Sequence, residues 1–456
     1  MRSRRNFLFS ALSVGAAALT SPAISKGAIG KTAPRLQAGA GRADVVFPAS
    51  LYPVDGFTGS HDPLAVRVLL LDDGATRIGI VVVDLTSIAE DMITSMKAVL
   101  TELAGVPADQ AIVCASHSFA TPHVFTGAHV PPGTDTARTA IMQRAFDTAI
   151  RSAAAQAVSG LVPARSGFGS GKSPIGVNRD VATPHGWWLG ANDAGFADPT
   201  LGVVRIDGRD GKPLAILMNV AVQPSVMDGS QLAAGGKLIS ADLAGAAARY
   251  VEARHPGAVA LFLVGAAGDQ SPYLQANRHV VHHDGSVGRV DIHEAGFAVL
   301  DLLGERLGTD IANIADGIRT QAGAQVTIAR DSIPVNGLDF SPRNAPTGPV
   351  PAFTYRHGAA AKVPIVVIRL GDIALVGMAP ELAASVGTRI RAGSPYADTL
   401  VATMVDGAAK YLPDAQSYDR FTYEARSSPY AQGAAETVAD GIVDTLKRMQ
   451  EGDTAG

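Results

Sequence analysis

The stretch Ala65-Val66-Arg67-Val68-Leu69-Leu70-Leu71 runs into Asp72-Asp73-Gly74 and then into Ile78-Gly79-Ile80-Val81-Val82-Val83. Two near-continuous apolar runs of strand length mark strands covered on both faces, and the Asp-Gly between them closes a hairpin. Downstream, helical spacing over 88–103 stops before Gly105-Val106-Pro107. A buried strand follows at 111–115, and a second helix at 139–158. A second hairpin pairs Val203-Val204-Arg205-Ile206 with Ala215-Ile216-Leu217-Met218-Asn219-Val220 around Gly208-Arg209-Asp210-Gly211. Residues 259–264 form another buried strand, and a third hairpin joins 365–370 to 373–378 across Gly371-Asp372. Helices alternate with strands, yet several strand pairs are antiparallel. The expected fold class is therefore α/β, a mixed β-sheet with flanking helices. Two long stretches, 166–199 and 270–290, read as irregular loops of the kind that are functional or mobile. The first holds Trp187 and Trp188, the only tryptophans, which either pack a lid or hold a ligand.

Around this frame the chain has 456 residues, 47% hydrophobic and 18% charged, which is ordinary globular composition. A net charge of -4 and a pI near 6.3 leave no basic field for nucleic acid and no polybasic patch for an anionic membrane. Cys114 is the one cysteine, which excludes an intrachain disulfide and a cysteine-rich zinc module. In its apolar run it reads as a buried structural thiol. At the N-terminus, Ser3-Arg4-Arg5-Asn6-Phe7-Leu8 resembles the twin-arginine export motif. The apolar stretch over 7–19 falls short of the ~20 residues that span a bilayer, and Pro22-Ala23 supplies a cleavage region. Residues 1–23 are thus expected to be a removable signal, 24–43 a flexible leader, and 44–450 one domain. Losing Arg2, Arg4 and Arg5 takes the net charge from -4 to -7. The expected location is periplasmic or secreted, with the twin-arginine machinery as export partner and no integral membrane segment after signal removal.

Four segments carry residues able to do chemistry. Ser116-His117-Ser118-Phe119-Ala120-Thr121-Pro122-His123 follows the strand at 111–115. A histidine there is held rigidly, as a ligand or base must be, and is equally placed for a structural hydrogen bond. Gly265-Ala266-Ala267-Gly268-Asp269-Gln270-Ser271-Pro272 follows the strand at 259–264. Such a turn either brings amides and a serine hydroxyl to a ligand or is simply capped by its Asp and Ser. Ala379-Pro380-Glu381 is expected to open a helix over 382–391, where the Glu favours the positive helix end or points into a cleft. Tyr411-Leu412-Pro413 and Tyr423-Glu424 lie near the C-terminus, where paired tyrosines are usually packing residues.

Together these segments resemble the catalytic domain of the neutral (non-lysosomal) ceramidase family. The match runs in order from about residue 44 to residue 449. It rests on His61-Asp62-Pro63-Leu64, Ser116-His117-Ser118, Val177-Asn178-Arg179, Leu238-Ile239-Ser240-Ala241-Asp242, Gly268-Asp269-Gln270-Ser271-Pro272, Pro380-Glu381 and the segment 411–424. The family's C-terminal immunoglobulin-like domain has no counterpart here. In that family two histidines, a glutamate and a tyrosine hold a zinc ion whose water attacks an amide carbonyl. The resemblance implies His117, Glu381 and Tyr411 as metal ligands. It implies Arg179, Tyr423 and Ser271 as pocket residues, Ser271 and Asp269 belonging to the Gly-Asp-x-Ser-Pro motif. Zinc would lower the pKa of its water and polarise the carbonyl, while hydroxyl and guanidinium donors stabilise the oxyanion.

Two positions depart from the family pattern. Phe119 stands where the family has a substrate-contacting histidine, and Gln223, in Val222-Gln223-Pro224-Ser225, stands where it has its second zinc histidine. A set of His117, Gln223, Glu381 and Tyr411 should hold zinc weakly or prefer a harder cation. His123, His129, His279, His282 and His283 are either replacement ligands or solvated loop histidines. The implied function is an exported hydrolase that cleaves an N-acyl amide or related bond in a small or lipid-like acylated substrate. A metal-independent hydrolase relying on Ser271, Asp269, His117 and Arg179, and a non-catalytic binding protein, are the alternatives.

Overall fold

The first hairpin forms as read: Leu64–Asp72 pairs antiparallel with Arg77–Val83. Its alternate side chains enter different layers, which places the hairpin at the centre of the molecule. Val66, Val68 and Leu70 pack with Met92, Met96, Phe146 and Ile150 of two helices, while Leu69 and Leu71 meet Val366, Ile368 and Leu375 of a second sheet. The computed structural model describes residues 36–127, 130–341 and 345–454, so the signal expected at 1–23 lies outside the described residues. A single compact unit accounts for residues 34–456.

Eight strands make the first sheet, in the order Val259–Val264, Pro213–Val220, Thr200–Gly208, Val162–Lys172, Gln37–Val45, Leu64–Asp72, Arg77–Val83, Ala111–Ala115. Only the two pairs at its edges are parallel, so the sheet is mixed, as expected. A second sheet holds Val326–Val335, Ala361–Leu370, Ile373–Met378 and Asp398–Ala402. Helices Glu90–Ala104, Thr136–Ser159, Asp242–Arg254 and Ala295–Gly317 cover the outer face of the first sheet. Ala384–Gly393 and Ala434–Thr454 cover that of the second. The layers are helix, sheet, sheet, helix. Among the described residues no helix is long and apolar enough to cross a membrane.

Three expectations need correction. Residues 37–43, assigned to a flexible leader, belong to the strand Gln37–Val45, paired residue for residue with Leu64–Asp72. Their glycines are there for close approach, since a Cβ on Gly39 or Gly41 would stand 2.0 Å from a carbonyl oxygen of helix Thr136–Ser159. The stretches 166–199 and 270–290 are largely strand, with Gly176–Thr183 central between Gln270–Pro272 and Gly186–Asn192, and Asn277–Val281 paired with Val287–Asp291. Polar, glycine-rich sequence hides them, because pairing rather than propensity forms them. Glu381 opens no helix either. Glu381–Leu382 pairs in parallel with Tyr411–Leu412, and the helix begins at Ala384.

Chain ends of strands from both sheets meet at one corner. Ala115 donates its N–H to the Met404 carbonyl at 3.1 Å, and Thr403 donates to Val264 at 2.9 Å. Asn219 donates its side-chain N–H to the carbonyls of Leu263 and Val401. The segments leaving Ala115, Val220, Val264 and Met378 therefore start close together, and these segments carry the candidate residues. Cys114 is buried beneath the corner, and burial pushes its thiol well up, as a structural thiol requires.

Candidate active site

His117 leaves its strand with φ at +63°, a left-handed conformation costly for a residue with a Cβ. The turn aims the ring inward, where it is 3% exposed. Nδ1 lies 2.6 Å from the Thr86 carbonyl oxygen, so it carries the proton and donates it. Nε2 is left with its lone pair facing the pocket. It comes within 3.2 Å of Glu381 Oε2 but is not aligned for a hydrogen bond.

Gln223 joins Glu381 to Arg179. Its amide nitrogen donates to Glu381 Oε2 at 2.6 Å, and its oxygen accepts from Arg179 Nη1 at 2.7 Å. The flipped amide would set N–H against guanidinium and oxygen against carboxylate, so this orientation is imposed by its neighbours.

Arg179 is the hub. Its Nε donates to Glu424 Oε1 at 2.6 Å, a buried ion pair whose one-sided removal typically costs about 3–5 kcal/mol. Its guanidinium lies 5.2 Å from the Tyr411 ring centroid and 5.8 Å from that of Tyr423. Burial works against its charge, yet Tyr411, Glu424 and Glu381 hold its pKa well above the ordinary arginine value. Burial, then Glu381, pushes the Tyr411 phenol well up, so it stays protonated. Asp180 behaves likewise. Burial and the Glu424 carboxylate raise its pKa well above the ordinary aspartate value.

Ser271 pairs with Val177 across the sheet, two residues before Arg179 on the same strand, whose register with Gly186–Asn192 shifts between Asn178 and Asp180. Ser271 is 4% exposed, and its Oγ, like Arg179 Nη2, finds no hydrogen-bond partner among the described residues. Asp269 presents no free oxygen. Oδ1 accepts from the Ala384 amide at 2.9 Å and Oδ2 from Asn178 at 3.2 Å. It thereby positions the turn and the start of the next helix. Burial lifts its carboxyl to about 6.

The remaining aromatic and histidine candidates have partners of their own. Trp188 is buried against Tyr423 at 5.8 Å and His279 at 6.3 Å, so it packs behind the site. Trp187 stacks under Arg420. His123 meets Asp55 at 2.7 Å, away from His117. Burial, then Arg289 and Arg179, depresses His279 to about 4. His282 and His283 sit at the turn after Asn277–Val281, and His129 lies outside the described residues. Glu424, Asp180 and Thr86 were not singled out in the sequence as site residues. Glu424 and Asp180 flank Tyr423 and Arg179 directly, which is the one signal they offer.

The donor set does not fit a four-coordinate zinc. Gln223 has its only ligating oxygen on a guanidinium, and the Tyr411 ring lies against that same cation. His117 Nε2 and Glu381 are the donors left over. Among the described residues no group of three His, Cys, Asp or Glu side chains comes together.

The helix–sheet–sheet–helix architecture is the neutral ceramidase fold. Among solved structures, the chain is similar to neutral ceramidase from Pseudomonas aeruginosa, with a TM-score of 0.70 and 19% identity over 92% of this chain and 75% of that one. It is similar as well to a ceramidase complexed with C2, with a TM-score of 0.69 and 18% identity over 92% and 76%. No protein-family model matches the sequence, and no curated protein does.

Proposed function

We propose that this chain is an exported hydrolase that cleaves an N-acyl bond without the four-ligand zinc that the sequence resemblance implies. The observation that carries the reading is a pair of buried donors, Arg179 Nη2 and Ser271 Oγ, that find no hydrogen-bond partner among the described residues, with Arg179 joined through Gln223 to Glu381 and Glu381 lying 3.2 Å from His117. Buried donors left unpaired are costly, and an acyl oxygen satisfies both. In the proposed step a water gives its proton to His117 Nε2, with Glu381 stabilising the imidazolium, while the water oxygen bonds to the acyl carbon. The carbonyl electron pair moves onto oxygen, which accepts from Arg179 and Ser271. Collapse breaks the C–N bond, and His117 returns the proton to the departing nitrogen. Tyr423 and Tyr411 hold the guanidinium in place.

The test is a panel of N-acyl amides and esters against protein purified without chelator, with metal analysis alongside. Amide turnover that survives a chelator and falls at least ~10²-fold in His117→Ala supports the reading. Chelator-sensitive turnover would restore zinc as the cofactor. Binding without turnover on any substrate would make the chain a binding protein. Export rests on the Arg4-Arg5 motif alone. Intact mass of periplasmic protein should lack residues up to about 23, and retention of residues 1–20 would count against it.

A further inference from the structure

The Phe119 ring stands edge-on to His117, with centroids 4.7 Å apart and planes at 67°. Phe119 also lines a cavity of about 240 Å³, as does Thr86, whose carbonyl holds His117. Two neighbours of the proposed base therefore line the cavity, although His117 itself does not. Its wall is not that of a lipid tunnel, because five ionisable residues line it: Asp55, His123, Asp228, Lys237 and His293. His123 meets Asp55, His293 Nδ1 lies 2.9 Å from the Gln231 carbonyl, and Asp228 faces Arg289 at 3.9 Å. Lys237 differs. Its ammonium rests on the face of Phe57 at 4.2 Å, and among the described residues it has no carboxylate in ion-pair contact. An aromatic face steadies a cation without neutralising it. Burial pushes the Asp228 carboxyl up, and Arg289, Arg179, Lys237 and His117 oppose that rise, which ties the cavity electrostatically to the centre. An acyl chain placed here would strip water from Lys237 and Asp228 with nothing in exchange.

We propose that this cavity receives the leaving half of the substrate and that Lys237 pairs there with a carboxylate on it, making the substrate an N-acylated amino acid. The assignment of that half rests on the hydrolase reading; the carboxylate preference does not. The matched probes are N-hexanoylglycine and N-hexanoylglycinamide, which differ by one charge. Calorimetric binding at low ionic strength should favour the glycine compound by about tenfold or more in the wild type. Lys237→Gln should erase the preference, Lys237→Glu should invert it, and Lys237→Arg should keep it, each with an unchanged melting temperature. Equal affinity in the wild type, or an undiminished preference in folded Lys237→Gln, overturns the proposal. Discrimination without turnover leaves the carboxylate site standing and removes the hydrolase reading. Turnover without discrimination does the reverse, and no binding of either probe by folded protein removes both.

Discussion

Gln223 has one ligating oxygen, and Arg179 holds it. An imidazole at that position would present a nitrogen lone pair beside His117 and Glu381, completing an N/O set that suits zinc. Gln223→His should therefore gain zinc affinity, read as a zinc-dependent rise in melting temperature that the parent lacks. Saturation at a hundredfold over Kd gives about 2.7 kcal/mol. Tight stoichiometric zinc in the parent would mean that a ligand outside this set has replaced the lost histidine. Ser271→Ala removes one of two donors to the acyl oxygen, and should lower kcat by ~10²–10³ with the fold intact. Wild-type turnover by that variant on a substrate the parent cleaves would reduce Ser271 to a turn residue. The resemblance to the neutral ceramidase family made His117, Gln223, Glu381 and Arg179 legible as a group, through the short segments that carry them in order along the chain. It could not show that the Gln223 amide turns its oxygen to Arg179, since amide orientation is settled only by neighbours distant along the chain.

Between elements, the turn carrying Asp269 and Ser271 touches the short strand carrying Glu381. Gly268 donates its N–H to the Leu382 carbonyl at 2.9 Å. A Cβ on Gly268 would stand 2.8 Å from the Glu381 carbonyl oxygen, against backbone that cannot swing aside. Gly268→Ala should push the two segments apart, costing about 1–3 kcal/mol. It should lower kcat/KM by more than that loss of stability alone would explain. Chemical denaturation together with kinetics checks this, and a variant active and stable as wild type would show the contact to be soft. Apolar periodicity revealed the central hairpins and the helices near residues 88–103 and 139–158. It missed Gly176–Thr183, whose Asn178, Arg179 and Asp180 have low strand propensity and are held by partners on both sides. The strand that presents the hub arginine is thus one of the least legible elements.

At the scale of the whole fold, buried carboxyls set a pH dependence. Asp242 accepts from the amides of Val226, Met227 and Leu243, yet burial outweighs these bonds and lifts its carboxyl to about 6. Unfolded, the group titrates near ~3.9. Between those values the folded chain binds more proton than the unfolded one, so stability falls as pH rises. The contribution is fully present below about pH 4 and lost once pH passes about 6. Asp242→Asn cannot titrate, so its unfolding free energy should fall less than the wild type's over that window, whatever its absolute stability. Equal slopes in urea titrations at pH 4, 5 and 6 would place Asp242 among ordinary carboxyls.

Arg179 also decides how the centre comes into being. A metal centre has an occupancy, set by supply and by competitors, and it can be emptied. A guanidinium fixed between Gln223, Glu424 and two tyrosines arrives with translation and reaches its place when the strand Gly176–Thr183 pairs. Folding is then the step that brings this charge to its place, with no supply of a second component involved.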